Sequence, residues 1–486
     1  MKLRPRPLVA AMLAVLAMSV PANELPDLGD SAVGDLPLHE ERRIADEASR
    51  EIRRSGDVLD DPEVDDYLQR LGYKLVAASN DNRINFRFFP IRDGDINAWA
   101  IPGGVIGINA GLIVLSQHES ELAAVMAHEI AHITQHHYAR MLESQKGSGW
   151  LSLGTLALAI LAASRSTDSE APMAAMAASE GFQAQRYLAF SRDFEREADR
   201  AGMQTLQAAG FDMRAMPSFF DRMQKYYRNV DNGAFAFLRT HPVTGERISD
   251  SEARAAKQAY KQWPDSADFL LVREKLRTLQ LGAQAAVDYY RGTTEQRKYA
   301  SEAAQQYGYA SALLSAGRTD EAWRHLEAAR KALAGGHPML ESLAGAIRLR
   351  QERYDEATAI FAQARARFPS AWALGYGEID VMLRRGRPRE AVTLLEAALA
   401  ERGSDAALHK RLAEAYEQLG QPGLAHRAQA EYYALRDELT AAIEQLNVAR
   451  RSGGDFYQMS AIEARIKELR ARMPDDRKGK RSEPAK

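Results

Sequence analysis

Between Gly317 and Ala425 the chain repeats itself. Gly317 and Ala322, Glu352 and Ala357, Gly386 and Ala391, and Gly420 and Ala425 share one layout, and the alanines recur every 34 or 35 residues. Small or apolar residues follow four and seven places later, as Leu326 and Ala329, Phe361 and Ala364, and Leu395 and Ala398. Those offsets trace one face of an α-helix. A unit this short cannot bury its apolar stripe alone, so it stacks on its neighbours. The pattern predicts an α-solenoid of helix–turn–helix pairs with a concave binding face. Pro369 ends one unit, and the fourth copy is degenerate, with Gln429 and Tyr432 in the apolar places. A weaker unit follows around Ala442, Leu446 and Ala449, and Phe456–Met473 is expected to cap the array. Residues 474–486 read as a polar, disordered tail. Trp323, Trp372 and Tyr376 are candidates for the concave face or for the core.

Chemistry is concentrated earlier, in Ser116–Tyr138, around His128-Glu129-Ile130-Ala131-His132. Two histidines four residues apart share one helix face, so both imidazoles can reach one ion. Zinc takes imidazole nitrogen, and Glu129 stands beside the first ligand, placed to take the proton of a water that attacks a peptide carbonyl. Leu122, Val125, Met126, Ile130 and Ile133 supply an apolar helix face, and Ser116 with Glu119 reads as a capping box. The alternative is two surface histidines on an ordinary helix. His136 and His137 read as solvated surface residues. Tyr138 stands where a metzincin would place its third histidine, which excludes that class.

At 486 residues more than one domain is expected. The formal charge of −2 offers no basic footprint for nucleic acid. The chain has no cysteine, which excludes disulfides, thiolate ligands and a cysteine nucleophile. Lys2, Arg4 and Arg6 precede the apolar run Leu8–Val20, and small residues end it before Asn23. Residues 1–22 therefore read as an export signal, with an uncleaved anchor as the alternative, and the mature protein as periplasmic.

Residues 23–37 form an extended arm, followed by a charged helix from Leu38 to Arg54 and another capped at Asp61-Pro62. Ile84–Phe89 and Val105–Asn109 read as strands. Asn97, Ala98, Trp99, Gly103 and Gly104 lie on or beside a segment that Pro102 confines to a sheet edge. Such an edge can pair with an extended substrate, or be an ordinary edge. Trp150–Ala163 is too short to span a membrane and reads as a buried or interfacial helix, open to peripheral membrane contact. With Ser164–Gly181 it forms either a flap over the cleft or a core hairpin. A third ligand must come from elsewhere. In Phe190–Asp199, Glu195 and Asp199 share a helix face. Glu195 can complete a two-histidine, one-glutamate site while Asp199 orients a ligand imidazole. Glu197 is the alternative ligand.

The stretches NAWAIPGG, HEIAH and SRDFEREAD, with Thr240-His241-Pro242 and Arg247-Ile248 after them, resemble the gluzincin metallopeptidases that include HtpX and the CAAX prenyl endopeptidases. In that family the first glutamate of the ExxxD segment is the third zinc ligand, which matches Glu195, with Asp199 supporting it. A histidine at the position of His241 serves as a switch in close relatives, so a reversible fourth ligand is implied. The C-terminal period resembles tetratricopeptide repeats. The combination implies a mainly α fold with a small β-sheet: a zinc peptidase domain over 38–263, then a repeat domain over 266–473. It resembles a family of periplasmic proteases with chaperone-like activity. That likeness implies misassembled outer-membrane proteins as clients, and the β-barrel assembly machinery and the lipopolysaccharide-export porin as partners.

Overall fold

A computed structural model describes residues 36–79, 81, 83–144, 192–228, 236–257, 261 and 263–473. The signal segment 1–22, most of the arm, the stretch Trp150–Gly181 and the tail 474–486 lie outside the described residues. No described helix is long and apolar enough to cross a membrane.

Helix α1 (Leu38–Ser55) opens the described chain, and α2 (Pro62–Ala77) follows. The Asp61 carboxylate accepts from the backbone N–H groups of Glu63 and Val64, so Pro62 occupies the first turn where no donor is needed. A three-stranded sheet comes next: β1 (Arg87–Ile91), β2 (Ala98–Ile101) and β3 (Val105–Asn109). The first strand starts three residues later than its alternation suggests. β3 is central, parallel to β1 and antiparallel to β2, which leaves β2 at one edge.

The short helix α3 (Ala110–Leu115) leads to α4 (Glu119–Thr134), which carries HExxH. Every residue of α4 from Ser120 to Ile133 is buried, so this is a central helix and not a half-exposed one. The expected capping box does not form. Ser116 Oγ donates back to the Leu112 carbonyl, His118 takes the cap position, and the Glu119 carboxylate accepts from Tyr67 and from Ser266. Then come α5 (His137–Ser144), α6 (Arg192–Ala208), α7 (Ala215–Arg228), α8 (Ala236–Thr240) and α9 (Gly245–Ala255).

Twelve further helices run to the end of the described chain: α10 (Ala267–Leu281), α11 (Ala283–Glu295), α12 (Glu302–Ser315), α13 (Thr319–Ala332), α14 (Pro338–Arg350), α15 (Tyr354–Arg367), α16 (Trp372–Arg384), α17 (Pro388–Glu401), α18 (Ala406–Gln418), α19 (Pro422–Leu435), α20 (Leu439–Arg451) and α21 (Phe456–Arg472). Sequential helices pack pairwise. The recurring junction residue has a backbone reason: Gly317, Glu352, Gly386 and Gly420 all adopt left-handed φ, between 60° and 75°. The alanines five residues on are buried at the next interhelical contact. Tyr376 is core: its ring is buried and its hydroxyl donates to Asp405. Trp323 lies half-buried under the Arg348 guanidinium, and Trp372 remains exposed.

Contacts near both ends of the array tie it to the N-terminal elements. α10 packs on α2 and α3, so one hydrophobic cluster runs unbroken from Leu59 to Ile347. Far along the chain, α16 reaches α2, and the buried Asp437 accepts from Arg54 of α1 and from Arg472. The array therefore touches the peptidase elements through both its first helices and its far ones.

Candidate active site and metal centre

Close packing of α4 against α6 builds the site. Gly202 of α6 faces the α4 backbone, where an added Cβ would lie 3.1 Å from the His128 nitrogen. The absence of a side chain there brings Glu195 and Asp199, two turns and one turn earlier, within reach of the histidines.

His128, His132, Glu195 and His241 converge, all buried, with their ligand atoms within 4.8 Å of one another. His128 Nε2 and His132 Nε2 are 3.0 Å apart, His128 Nε2 and His241 Nδ1 3.4 Å, His241 Nδ1 and Glu195 Oε1 2.9 Å, and His132 Nε2 and Glu195 Oε1 3.4 Å. Four donors around an ion at bonds of about 2.0–2.1 Å stand about 3.4 Å apart. Three imidazoles and a carboxylate at these separations therefore fit a small, four-coordinate cation. Glu129 is buried beside them, 3.5 Å from His241 Nε2, and burial pushes its carboxyl up.

Each α4 histidine is oriented from behind. His128 Nδ1 lies 3.0 Å from Asp199 Oδ1, which places the ring proton there and leaves the Nε2 lone pair facing the cluster. Arg247 fixes Asp199 in turn: Nε donates to Oδ2 at 2.7 Å and Nη2 to Oδ1 at 2.8 Å. Its third nitrogen, Nη1, reaches Glu195 Oε2 at 2.7 Å and the Pro242 carbonyl at 2.9 Å. One guanidinium thus holds both carboxylates and the loop that presents His241. Burial opposes ionisation of Glu195, but His241 and Arg247 overcome it and hold the carboxyl well below its usual range. Burial likewise disfavours a charged His128, yet Asp199 and Glu195 raise it to about 9.

His137 corrects the sequence reading. It is fully buried, not solvated, and its Nδ1 lies 3.0 Å from His132 Nδ1. The helix breaks after Thr134, His136 takes a φ of 51°, and α5 starts afresh with the His137 ring turned back toward His132. Phe194 stacks on that ring at 4.8 Å. Burial, then Arg140, push His137 down to about 3, so it stays neutral and accepts the His132 Nδ1 proton. His136 is half-buried, 3.9 Å from Glu41. Glu197, the alternative ligand, points away from the cluster and accepts from Arg140 at 3.0 Å. Sequence reasoning also missed the bridging role of Arg247. A lone arginine in a charged segment carries no signal that both its partners are buried carboxylates.

The edge residues are not among the converging ligands. Asn97, Ala98 and Trp99 are buried. The Asn109 N–H donates to the Asn97 carbonyl at 3.0 Å, so in the antiparallel ladder Ala98 and Ala100 turn their backbone groups away from β3. The Tyr138 hydroxyl donates to the Ala100 carbonyl. Gly103 and Gly104 form the turn after β2, pressed against the backbones of Glu41 and Asn85.

The family model described as Peptidase family M48 matches residues 62–255, and a tetratricopeptide repeat model matches residues 348–410. The chain is 33% identical to the beta-barrel assembly-enhancing protease of Escherichia coli K12, over 95% of this chain and 96% of that one. It is 37% identical to a putative beta-barrel assembly-enhancing protease of Vibrio cholerae, over 65% of each chain. A mitochondrial metalloendopeptidase, OMA1 of Schizosaccharomyces pombe, is 28% identical over 45% of this chain and 62% of its own. With an HExxH helix, a buried cluster able to hold a metal and a C-terminal repeat array, the chain belongs to the family of β-barrel assembly-enhancing proteases, metalloendopeptidases of family M48 that carry tetratricopeptide repeats.

Proposed function

We propose that the chain is a periplasmic, zinc-dependent endopeptidase with chaperone-like activity, acting in quality control and assembly of outer-membrane β-barrel proteins. The observation that carries this reading is the convergence of His128, His132, Glu195 and His241 beside a buried Glu129. The donor set, nitrogen-rich with one carboxylate and no sulfur, suits zinc. Bound there, zinc would polarise the scissile carbonyl and acidify an attacking water. Glu129 takes the proton of that water and returns it to the leaving nitrogen, a task favoured by its raised pKa. Asp199 and His137 keep the ligand rings aimed, and Arg247 holds the carboxylates ionised. Pairing of an extended client with the outward backbone groups of β2 would require Ala98 to be uncovered and Tyr138 to release the Ala100 carbonyl. The names of the relatives support clients and partners among outer-membrane β-barrels and their assembly machinery, and the basic-then-apolar N-terminus supports export. The lipopolysaccharide-export porin is proposed among the partners on the family resemblance alone.

Zinc content and casein cleavage test the mechanism on the full chain. Glu129→Gln should keep zinc and lose activity by about 10²–10⁴-fold. Glu195→Gln should lose zinc while Glu197→Gln keeps it; the reverse result rejects the ligand assignment.

A second reading, a repeat-based scaffold with a latent or structural zinc site, has one observation in its favour. His241 fills the fourth ligand position and its Nε2 faces Glu129, where a water would have to stand. We reconcile the two by proposing His241 as a reversible ligand that must swing out before catalysis. His241→Ala should raise basal proteolysis with zinc retained; unchanged or lower activity in the zinc-loaded variant favours the structural reading.

A further inference from the structure

A cleft of about 450 Å³ lies between the segment that feeds the HExxH helix and the first helices of the array. Gln117 lines one side, Arg273 and Arg277 of α10 the floor, and Tyr289, Lys298 and Tyr299 the other side. Among its lining residues there are three cations and a single carboxylate, Glu274.

That carboxylate is spent. It is buried, and it accepts from Arg273 Nε at 3.0 Å, Arg277 Nε at 2.9 Å and the Tyr290 hydroxyl at 3.1 Å. Its effect is to lock two guanidiniums side by side. Arg273 Nη1 donates to the Ser116 and Gln117 carbonyls, and Arg277 Nη2 to the Val114 carbonyl. Arg273 Nη2, Arg277 Nη1 and the Lys298 ammonium keep no acceptor among the described residues. The lining carries net positive charge in a preformed concavity, with fixed donors and two tyrosine rings beside them. Planar guanidinium forks match a carboxylate, and the rings offer a surface for the body attached to it.

We propose that this cleft binds a carboxylate of a polypeptide client, either its terminal α-carboxylate or an aspartate or glutamate side chain. Polypeptide as the carrier rests on the peptidase reading; the anion preference rests on the cleft alone. The bound group would sit outside the metal cluster, against the residues that lead into α4.

Fluorescence anisotropy with labelled ten-residue peptides tests this on the full-length protein. Three forms of one peptide are compared: free C-terminal acid without acidic side chains, the C-terminal amide, and the amide with one internal aspartate. At least one of the two carboxylated forms should bind at least about tenfold more tightly than the plain amide. Lys298→Glu, a change at an exposed residue without a partner, should abolish that difference, and Arg277→Gln should reduce it. Equal binding of the two internally carboxylated and terminally carboxylated forms assigns both sources; preference for one selects it. Equal binding of all three forms by the wild type, or an undiminished preference for the carboxylated forms in Lys298→Glu, overturns the proposal. Casein cleavage is measured in parallel. Its loss in Glu129→Gln with peptide binding intact separates failure of the cleft from failure of the peptidase reading.

Discussion

The metal cluster and the repeat array sit in one chain and are held by opposite means. The cluster packs three histidines, three carboxylates and an arginine into the interior, drawn from α4, α6 and the segment around α9. Its parts are distant in sequence, and each charged group is tolerable only because another answers it. The array is mostly apolar inside, with a few paired charges such as Glu274 and Asp437. Alanine, leucine and phenylalanine meet between neighbouring helices, and most contacts within it join sequential helices. Removing one member of the first strands a buried charge, whereas removing one member of the second leaves a hole. The two regions should therefore fail differently.

The largest effect is expected at Arg247. Arg247→Met removes the guanidinium that bridges Asp199 and Glu195 and leaves His128 to answer two buried carboxylates, at a cost of about 3–5 kcal/mol, and destabilises the whole peptidase unit in denaturant melts of the metal-free protein. Phe361→Ala removes a ring wedged against Gly345 and Gly377 at a comparable cost of about 3–5 kcal/mol. Hydrogen exchange should confine that loss to the neighbouring repeats, with metal content unchanged. Global exchange in both variants would erase the contrast.

His137→Phe keeps the stack on Phe194 but removes the acceptor for His132. Metal affinity, read by chelator competition, should fall about 10–100-fold and recover in His137→Asn, whose carbonyl can accept. Wild-type affinity in the Phe variant would return His137 to a packing role.

Acidity discriminates too. His128 is held at about 9 in the metal-free site against an ordinary 6.5, so its pairing stabilises fully below 6.5 and is lost as pH rises through 9. Melting temperature of the metal-free protein should decline across that window, and metal uptake near pH 7.5 should release a proton. A flat profile would mean that Asp199 and Glu195 hold an uncharged ring. The smallest effect belongs to Glu352, a left-handed residue at φ 60° where three equivalent junctions use glycine. Glu352→Gly should stabilise the array by about 0.5–1 kcal/mol, visible as a small rise in denaturant midpoint.

Legibility in the sequence followed the same division. Local order is written locally: the alanine period and its junction residues located the helix pairs, and HExxH located α4. Glu195 and Asp199 were legible because both fall on one face of one helix. His137 was hidden by a backbone break at His136, since a histidine five places past His132 on a continuous helix would point elsewhere. The cap of α4 was misplaced because Glu119 is claimed by Ser266 and Tyr67, partners no local pattern reveals. Ala100, whose carbonyl Tyr138 occupies, is another case, as it narrows the edge that an extended client could use.

Asp437 sets a limit of a different kind. Its carboxylate is the point where the far end of the array meets Arg54 of the first helix, with Arg472 on its other oxygen. A free solenoid can gain or lose a unit and merely become longer or shorter. Here the array is a ruler read against a fixed mark: one unit more would carry the aspartate past the arginine, and one fewer would stop it short. Each such change would leave a buried carboxylate without that partner. A contact spanning 383 positions thereby couples the number of repeats in this chain to the placement of its first helix.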